Sequence, residues 1–340
     1  MLYPLKLAAA LKDYIWGGRR LIDEFHKKTD MDSVAESWEL AARDEGESVI
    51  LNGRYKNLTM REYIKKVGQD ALGKNASRFE TFPLMVKLLD AKEILSVQVH
   101  PSDEEAKFLP GAEGKTELWY IIDAAPNAKL LYGVKEPMTN EEFAEHIKNN
   151  TLLDKCNYVN PKKGDVMLVT PGTLHAIGAG ILLIEIQQNS NTTYRAYDYD
   201  RRGKDGKPRT LHIKEAVKVA KLQPPERNKE KKIPLPKVDD AIRTEIGNNE
   251  HFRAEYINLA GNAKFFAGEK TFQTFTVIGG GVKLRVCNEN LLEDEKELDL
   301  TKGDTVFLPA DMGEYRIFGK SELIMSEVTE KNFISCETID

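Results

Sequence analysis

The chain has 340 residues, 41% of them hydrophobic and 30% charged, with a formal net charge of -5. That length supports about two domains and a proper core. The balance excludes a strongly basic nucleic-acid binder and a polybasic membrane-surface protein.

No apolar run approaches the roughly 18 residues that a membrane span needs. The N-terminus has no basic leader or cleavage site, so no signal peptide is expected. Cys156, Cys287 and Cys336 are odd in number and widely spaced, with no CxxC. They read as reduced thiols of a cytoplasmic protein, neither a disulfide framework nor a cysteine zinc site.

In chain order, SVAESWELAARDEGESVILNG offers two short strands, around Ser37–Ala41 and Ser48–Leu51. Thr59 and Glu62 have capping-box spacing and predict a helix to about Val67. FPLMVKLLDA has strand length, and ILSVQVH alternates faces. Ser102 with Glu105 opens a short helix; ELWYIIDA is a strand; Thr139 with Glu142 caps a helix to about Asn149. VMLVTP and GILLIEIQ return to strand. The segment 223–240 carries four prolines and a cluster of charges, and reads as a linker or surface crossing. Beyond it lie more short strands, so both parts are expected to be sandwiches or jelly rolls.

KKGDVMLVTPGTLHAIGAGILLIEIQ resembles TKGDTVFLPADMGEYRIFGKSELIMSEV. Each has a Gly-Asp turn, a strand, a proline that ends it and a second strand. Aligned on Pro171 and Pro309, His175 falls opposite Gly313. This suggests a duplicated β module with chemistry kept in the first copy.

Gln98 and His100 share one strand face. With Glu117 at the start of the next strong strand, and His175, they offer two imidazoles, a carboxylate and an amide oxygen. That set suits zinc or another first-row divalent ion. The competing reading is a solvated strand edge unrelated to His175. Arg195 stays cationic and can fork to an anion. Lys115, Lys87, Ser96 and Glu185 are weaker candidates, each more readily read from composition alone as a surface charge or a satisfied hydroxyl. His212 reads as structural or capping; His26, His146 and His251 read as surface residues.

The strings FPLMVKLLDAKEILSVQVHPSDEEA, GKTELWYII, PGTLHAIGAG and EIQQNSNTTYRAYDYDR resemble the type I mannose-6-phosphate isomerases, with the short bacterial branch the nearest. The resemblance is dense over about residues 3–220 and looser beyond. It implies a mainly β fold: two cupin-type jelly-roll modules with short helical insertions. The modules would be a catalytic one at 1–222 and a non-catalytic one at 241–340.

It also implies one zinc per chain, held by Gln98, His100, Glu117 and His175. Arg195 would be catalytic, and Lys115 would transfer protons or position substrate. Lys87, Ser96 and Glu185 would line the substrate pocket. The implied reaction is reversible isomerisation of D-mannose 6-phosphate and D-fructose 6-phosphate through a cis-enediol(ate). The implied partner is a small sugar phosphate, with no nucleic acid, membrane or protein partner. Two departures are visible. Longer members carry a histidine before the lysine of the Glu loop, where Gly114 stands here. They also follow the arginine with Thr-Pro-Lys, so the phosphate contacts are open here to Arg201, Arg202 or groups elsewhere, with Ser96 and Lys87 as further candidates. The rivals are an iron-dependent cupin oxygenase and a non-enzymatic sugar-phosphate sensor.

Overall fold

The computed structural model describes residues 1–203, 206–226 and 229–330, so Cys336 lies outside the described residues. All three expected capping boxes form. Thr59, Ser102 and Thr139 accept from the backbone N–H three residues on, and Glu62, Glu105 and Glu142 reach back. The helices they start are Met60–Val67, Asp103–Ala106 and Asn140–Lys148. Among the described residues, no helix is long and apolar enough to cross a membrane.

The rest is mainly antiparallel β. A six-stranded sheet runs Val166–Val169, Glu117–Ala124, Ile181–Gln188, Leu84–Ala91, Glu36–Leu40, Ala10–Lys12. A five-stranded sheet runs Cys156–Val159, Leu130–Val134, His175–Ile177, Val97–Val99, Tyr194–Tyr197. Every residue of LMVKLLDA and ILLIEIQQ is buried, because both faces of these central strands are covered. Alternation assigns the faces. Leu84, Val86, Leu88, Leu182, Ile184 and Ile186 pack into a core shared with Phe252, Ile257 and Phe307 of the later module. Leu89, Ala91, Ile181 and Leu183 point the other way, with Trp119, Tyr132 and Ile177, between the two sheets.

The second module is a nine-stranded sheet built on long strands, Phe252–Ala267, Gln273–Val286 and Gly313–Val328. Two N-terminal strands belong to it. Leu5–Ala8 pairs with Thr305–Leu308 on one side and with Val49–Ile50 on the other. Within the expected 223–240 crossing, Ile233–Pro234 adds an edge strand to the same sheet.

A buried polar knot ties this junction. The Glu39 side chain is fully buried; its Oε1 lies 2.6 Å from Lys27 Nζ and accepts from Ser37 Oγ at 2.6 Å, and its Oε2 accepts from Thr305 Oγ1 at 3.0 Å. Removing one partner of such a pair strands the others in a dry site. Glu39→Ala is therefore expected to cost roughly 3 kcal/mol, read as a lower urea midpoint at unchanged slope. A midpoint equal to the parent's would contradict this account of the junction.

Candidate metal centre and active site

The two sheets of the first module face each other, and backbone register brings the candidates into two rows. On the five-stranded sheet His175 pairs with Gln98, and Gln98 with Arg195, so the three share a face. On the six-stranded sheet one row runs Trp119, Glu185, Lys87, Trp38. The rows meet where the Trp119 ring stands edge-on to the His175 ring, with centroids 5.4 Å apart. Glu117 opens its strand two residues from Trp119, on the same face.

The geometry fits a metal ion. His100 Nε2 lies 3.2 Å from Glu117 Oε1, and His175 Nε2 lies 3.7 Å from Glu117 Oε2. Two ligands on a tetrahedral ion with bonds near 2.0–2.1 Å are about 3.3 Å apart. Among the described residues, His100 Nε2, His175 Nε2 and Glu117 Oε2 are buried without a hydrogen-bond partner. Each imidazole donates its other nitrogen to a backbone carbonyl, His100 Nδ1 to Thr192 at 2.8 Å and His175 Nδ1 to Thr173 at 2.9 Å. That fixes the tautomer and turns both Nε2 lone pairs inward. The His100, Glu117 and His175 donor atoms all lie within 4.8 Å of one another. Half-buried Gln98 adds an amide beside them by register. Two imidazoles with carboxylate and amide oxygens suit a first-row divalent ion.

Electrostatics agrees with this. Burial, then the Lys115 charge, pushes His100 down to about 3, and burial lowers His175 too. Burial alone would raise the Glu117 carboxyl, but Lys115 and the imidazoles outweigh it and hold it well below the carboxylate range. The site therefore presents neutral imidazoles and an ionised carboxylate, the states that ligate metals. In the unfolded chain a histidine titrates near 6.5, so below that pH the unfolded state binds more protons. The stability tied to the neutral histidines is complete above pH 6.5 and is lost as pH falls toward 3. For metal-free protein, His100 alone should contribute a loss of roughly 2 kcal/mol between pH 6.5 and pH 5. Urea midpoints of His100→Gln should decline less steeply over that range; parallel declines would contradict this.

Lys115 is buried, with Nζ 2.6 Å from Glu117 Oε1. Lys87 is buried 3.2 Å from Glu185 Oε1 and 3.7 Å from Glu36 Oε2. Burial opposes the Lys87 charge, yet Glu36 and Glu185 outweigh it and raise its pKa. Glu185 Oε2 also accepts from Trp119 Nε1 at 2.8 Å; burial and then Glu117 push its carboxyl upward. Ser96 is buried, and its Oγ accepts from Arg195 Nε at 3.3 Å. Arg195 Nη1 donates to the Thr210 carbonyl at 2.9 Å. Its backbone N–H donates to His212 Nδ1 at 3.3 Å, so His212 holds the Arg195 strand in addition to preceding a helix.

Arg201 and Arg209 both bond the carboxylate of Asp198. Burial first, and then these two neighbouring guanidiniums, lower the Arg195 pKa, and an arginine remains a cation even so. Arg202 is exposed and donates to the Gly206 carbonyl.

His251 is not the surface residue expected from its polar neighbours. It is 8% exposed, with Nε2 4.0 Å from an Asp103 carboxylate oxygen. Asp103 accepts from Gln188, whose amide oxygen takes the Thr116 N–H beside Glu117. Arg43 is a site-supporting residue that sequence reasoning missed. Its Nη1 lies 2.8 Å from Glu113 Oε2 and donates to the Asn189 carbonyl at 2.5 Å. It thus clamps together the loops that precede Lys115 and follow Gln188. Its only signal in the sequence was a charge in an apolar-to-polar transition.

Comparison with known proteins places the chain in a family. Residues 4–146 match the family model for the phosphomannose isomerase type I catalytic domain, and residues 243–328 match the mannose-6-phosphate isomerase cupin domain. The chain is 37% identical to the mannose-6-phosphate isomerase ManA of Bacillus subtilis over 327 residues, covering 96% of this chain and 99% of that protein. The chain belongs to the type I phosphomannose isomerase family. A Streptococcus mutans mannose-6-phosphate isomerase is 32% identical, covering 97% of this chain and all of that protein (100%). The crystal structure of the Bacillus subtilis mannose 6-phosphate isomerase superposes with a TM-score of 0.86 at 34% identity, over 95% of this chain and 99% of that one. The two-module cupin architecture expected of a phosphomannose isomerase is the one observed.

Proposed function

We propose that the protein interconverts D-mannose 6-phosphate and D-fructose 6-phosphate in a zinc-dependent reaction, with one zinc per chain and a cis-enediol(ate) intermediate. The observation that carries this reading is the buried trio His100, Glu117 and His175, whose two Nε2 atoms and Glu117 Oε2 have no hydrogen-bond partner among the described residues, inside a chain of this family. Gln98 completes the ligand set by register. Zinc bound there supplies Lewis-acid polarisation of the sugar oxygens.

The protein groups do the rest. The reaction must remove a proton from C2 and deliver it to C1, which requires a group within hydrogen-bond reach of both. Lys115 takes this role once it has released its own proton, and Glu185 is the alternative. Both Glu185 oxygens are engaged, one by Lys87 and one by Trp119. Lys115 sits against the ligand carboxylate itself. Arg195, steadied by Ser96 and Thr210, stabilises the oxyanion that develops at C1–C2. Lys87 and Glu185 orient the sugar hydroxyls from the opposite sheet. The named cations Lys87, Lys115 and Arg195 are matched in number by Glu36, Glu117 and Glu185. A divalent ion is then what makes the pocket positive for a dianionic phosphate.

Turnover in deuterium oxide tests the reading. Mannose 6-phosphate should give fructose 6-phosphate carrying solvent deuterium at C1, detected by proton NMR. Product that keeps the original hydrogen through repeated turnovers would contradict the enediol(ate) route, and absence of product would contradict the substrate.

A further inference from the structure

The turn that follows strand Ile181–Gln188 reaches both sides of the candidate metal centre. Gln187 is fully buried, and its Nε2 donates to the carbonyls of Gln188 at 2.7 Å and Ser190 at 2.6 Å. These two bonds curl the chain back on itself. Ser190 Oγ then accepts from the Thr192 N–H at 3.2 Å, and the Thr192 carbonyl takes the Nδ1 hydrogen of His100. The His100 imidazole is thus oriented by a turn that Gln187 holds.

The other arm of the turn reaches Glu117. Gln188 Oε1 accepts from the Thr116 N–H at 2.9 Å, and the Gln188 N–H donates to the Thr116 carbonyl at 3.2 Å. Thr116 lies between Lys115 and Glu117, so these bonds fix the backbone from which both side chains project. Gln188 Nε2 is held in turn by the Asp103 carboxylate, at 3.0 and 3.3 Å. Room for that carboxylate exists because residue 114 is glycine; a Cβ there would stand 2.0 Å from Asp103 Oδ1. Ser190 Oγ donates to the Glu113 carbonyl at 3.2 Å, and Thr192 Oγ1 accepts from the Glu113 N–H at 2.9 Å. One turn therefore ties the strand end that carries His100 to the loop that carries Glu117.

Stability alone does not account for these amides. Gln187 pairs with Glu117 across the sheet, and its Oε1 is buried without a hydrogen-bond partner among the described residues. A buried acceptor left unpaired costs free energy, and an apolar residue in this strand would avoid that cost. What an apolar side chain cannot supply is the pair of bonds to the turn. We propose, resting on the metal-dependent reading above, that Gln187 and Gln188 are positioning residues of the isomerase site, which hold His100 and Glu117 at the spacing a metal ion needs. Gln187 acts through Thr192, and Gln188 through Thr116.

Gln187→Met and Gln188→Met keep the side-chain length and remove these bonds. Each should weaken zinc binding by the full chain about ten- to a hundredfold, measured by competition with a chelator. The visible absorption of the cobalt(II)-loaded protein reads ligand geometry and should change in both. Gln188→Glu alone sets a second carboxylate against Asp103 and should weaken zinc as well. Combined with Asp103→Asn it exchanges amide and carboxylate and keeps an acceptor for the Thr116 N–H. That exchange should restore both zinc affinity and the cobalt spectrum. Melting of the metal-free forms identifies a variant that fails to fold, and the exchange then carries the test. Parental zinc affinity in either folded methionine variant would overturn the proposal, as would an exchange that binds zinc no better than Gln188→Glu alone. A parent protein that binds no zinc would overturn the metal reading together with this one, whereas a zinc-binding parent with unaffected variants would overturn this one alone.

Discussion

Replacing Arg195 with alanine is expected to cut kcat for mannose 6-phosphate about a hundred- to a thousandfold while leaving bound zinc unchanged. The side chain is braced at Nε by Ser96 and at Nη1 by the Thr210 carbonyl, so the guanidinium is already oriented before substrate arrives. Its side chain takes no part in the hydrogen bonds that fix the two imidazoles. The His100 and His175 tautomers are set by the Thr192 and Thr173 carbonyls. A cation placed where charge develops acts on the transition state, so the loss should fall on kcat more than on KM. Arg195→Lys should recover only part of the activity, because an ammonium lacks the rigid planar fork. Zinc loss in Arg195→Ala would show that the arginine supports the ligands instead.

His175→Ala should produce the largest effect of any single change: loss of bound zinc and a fall in turnover of more than about a thousandfold. The imidazole is fully buried, faces Glu117 and lies tilted against the His100 ring, with centroids 4.8 Å apart. Among the described residues, the His/Cys/Asp/Glu cluster there contains only His100 and Glu117 besides it. The fold should persist, since the strand His175–Ile177 is held on both sides by Leu130–Val134 and Val97–Val99. Zinc should raise the melting temperature of the parent protein and not that of the variant, because only a native-state ligand stabilises by mass action. A variant that keeps its zinc would place the metal elsewhere.

The sequence made local features legible and left partners obscure. Thr59, Ser102 and Thr139 announced their helices because a capping box is complete within four residues. Gln98 and His100 announced a shared face because strand periodicity is local. The pairing of Leu5–Ala8 with Thr305–Leu308 joins residues about 300 apart, and no pattern in either segment encodes its partner. The same limit hid the Lys87–Glu185 contact. Each residue reads as a charge inside an apolar strand, and only the register sets them side by side. His251 misled because its neighbours Glu250 and Arg253 are polar, while its burial comes from packing against the Asp103 region, far away in the chain.

Isomerisation is expected to depend on a metal held by His100, Glu117 and His175. Zinc should be counted in the purified protein, and turnover of mannose 6-phosphate followed before chelation, after it and after zinc is restored. One zinc per chain is expected, with activity that falls in proportion as zinc is removed and returns when it is added back. Full turnover in zinc-free protein would contradict it.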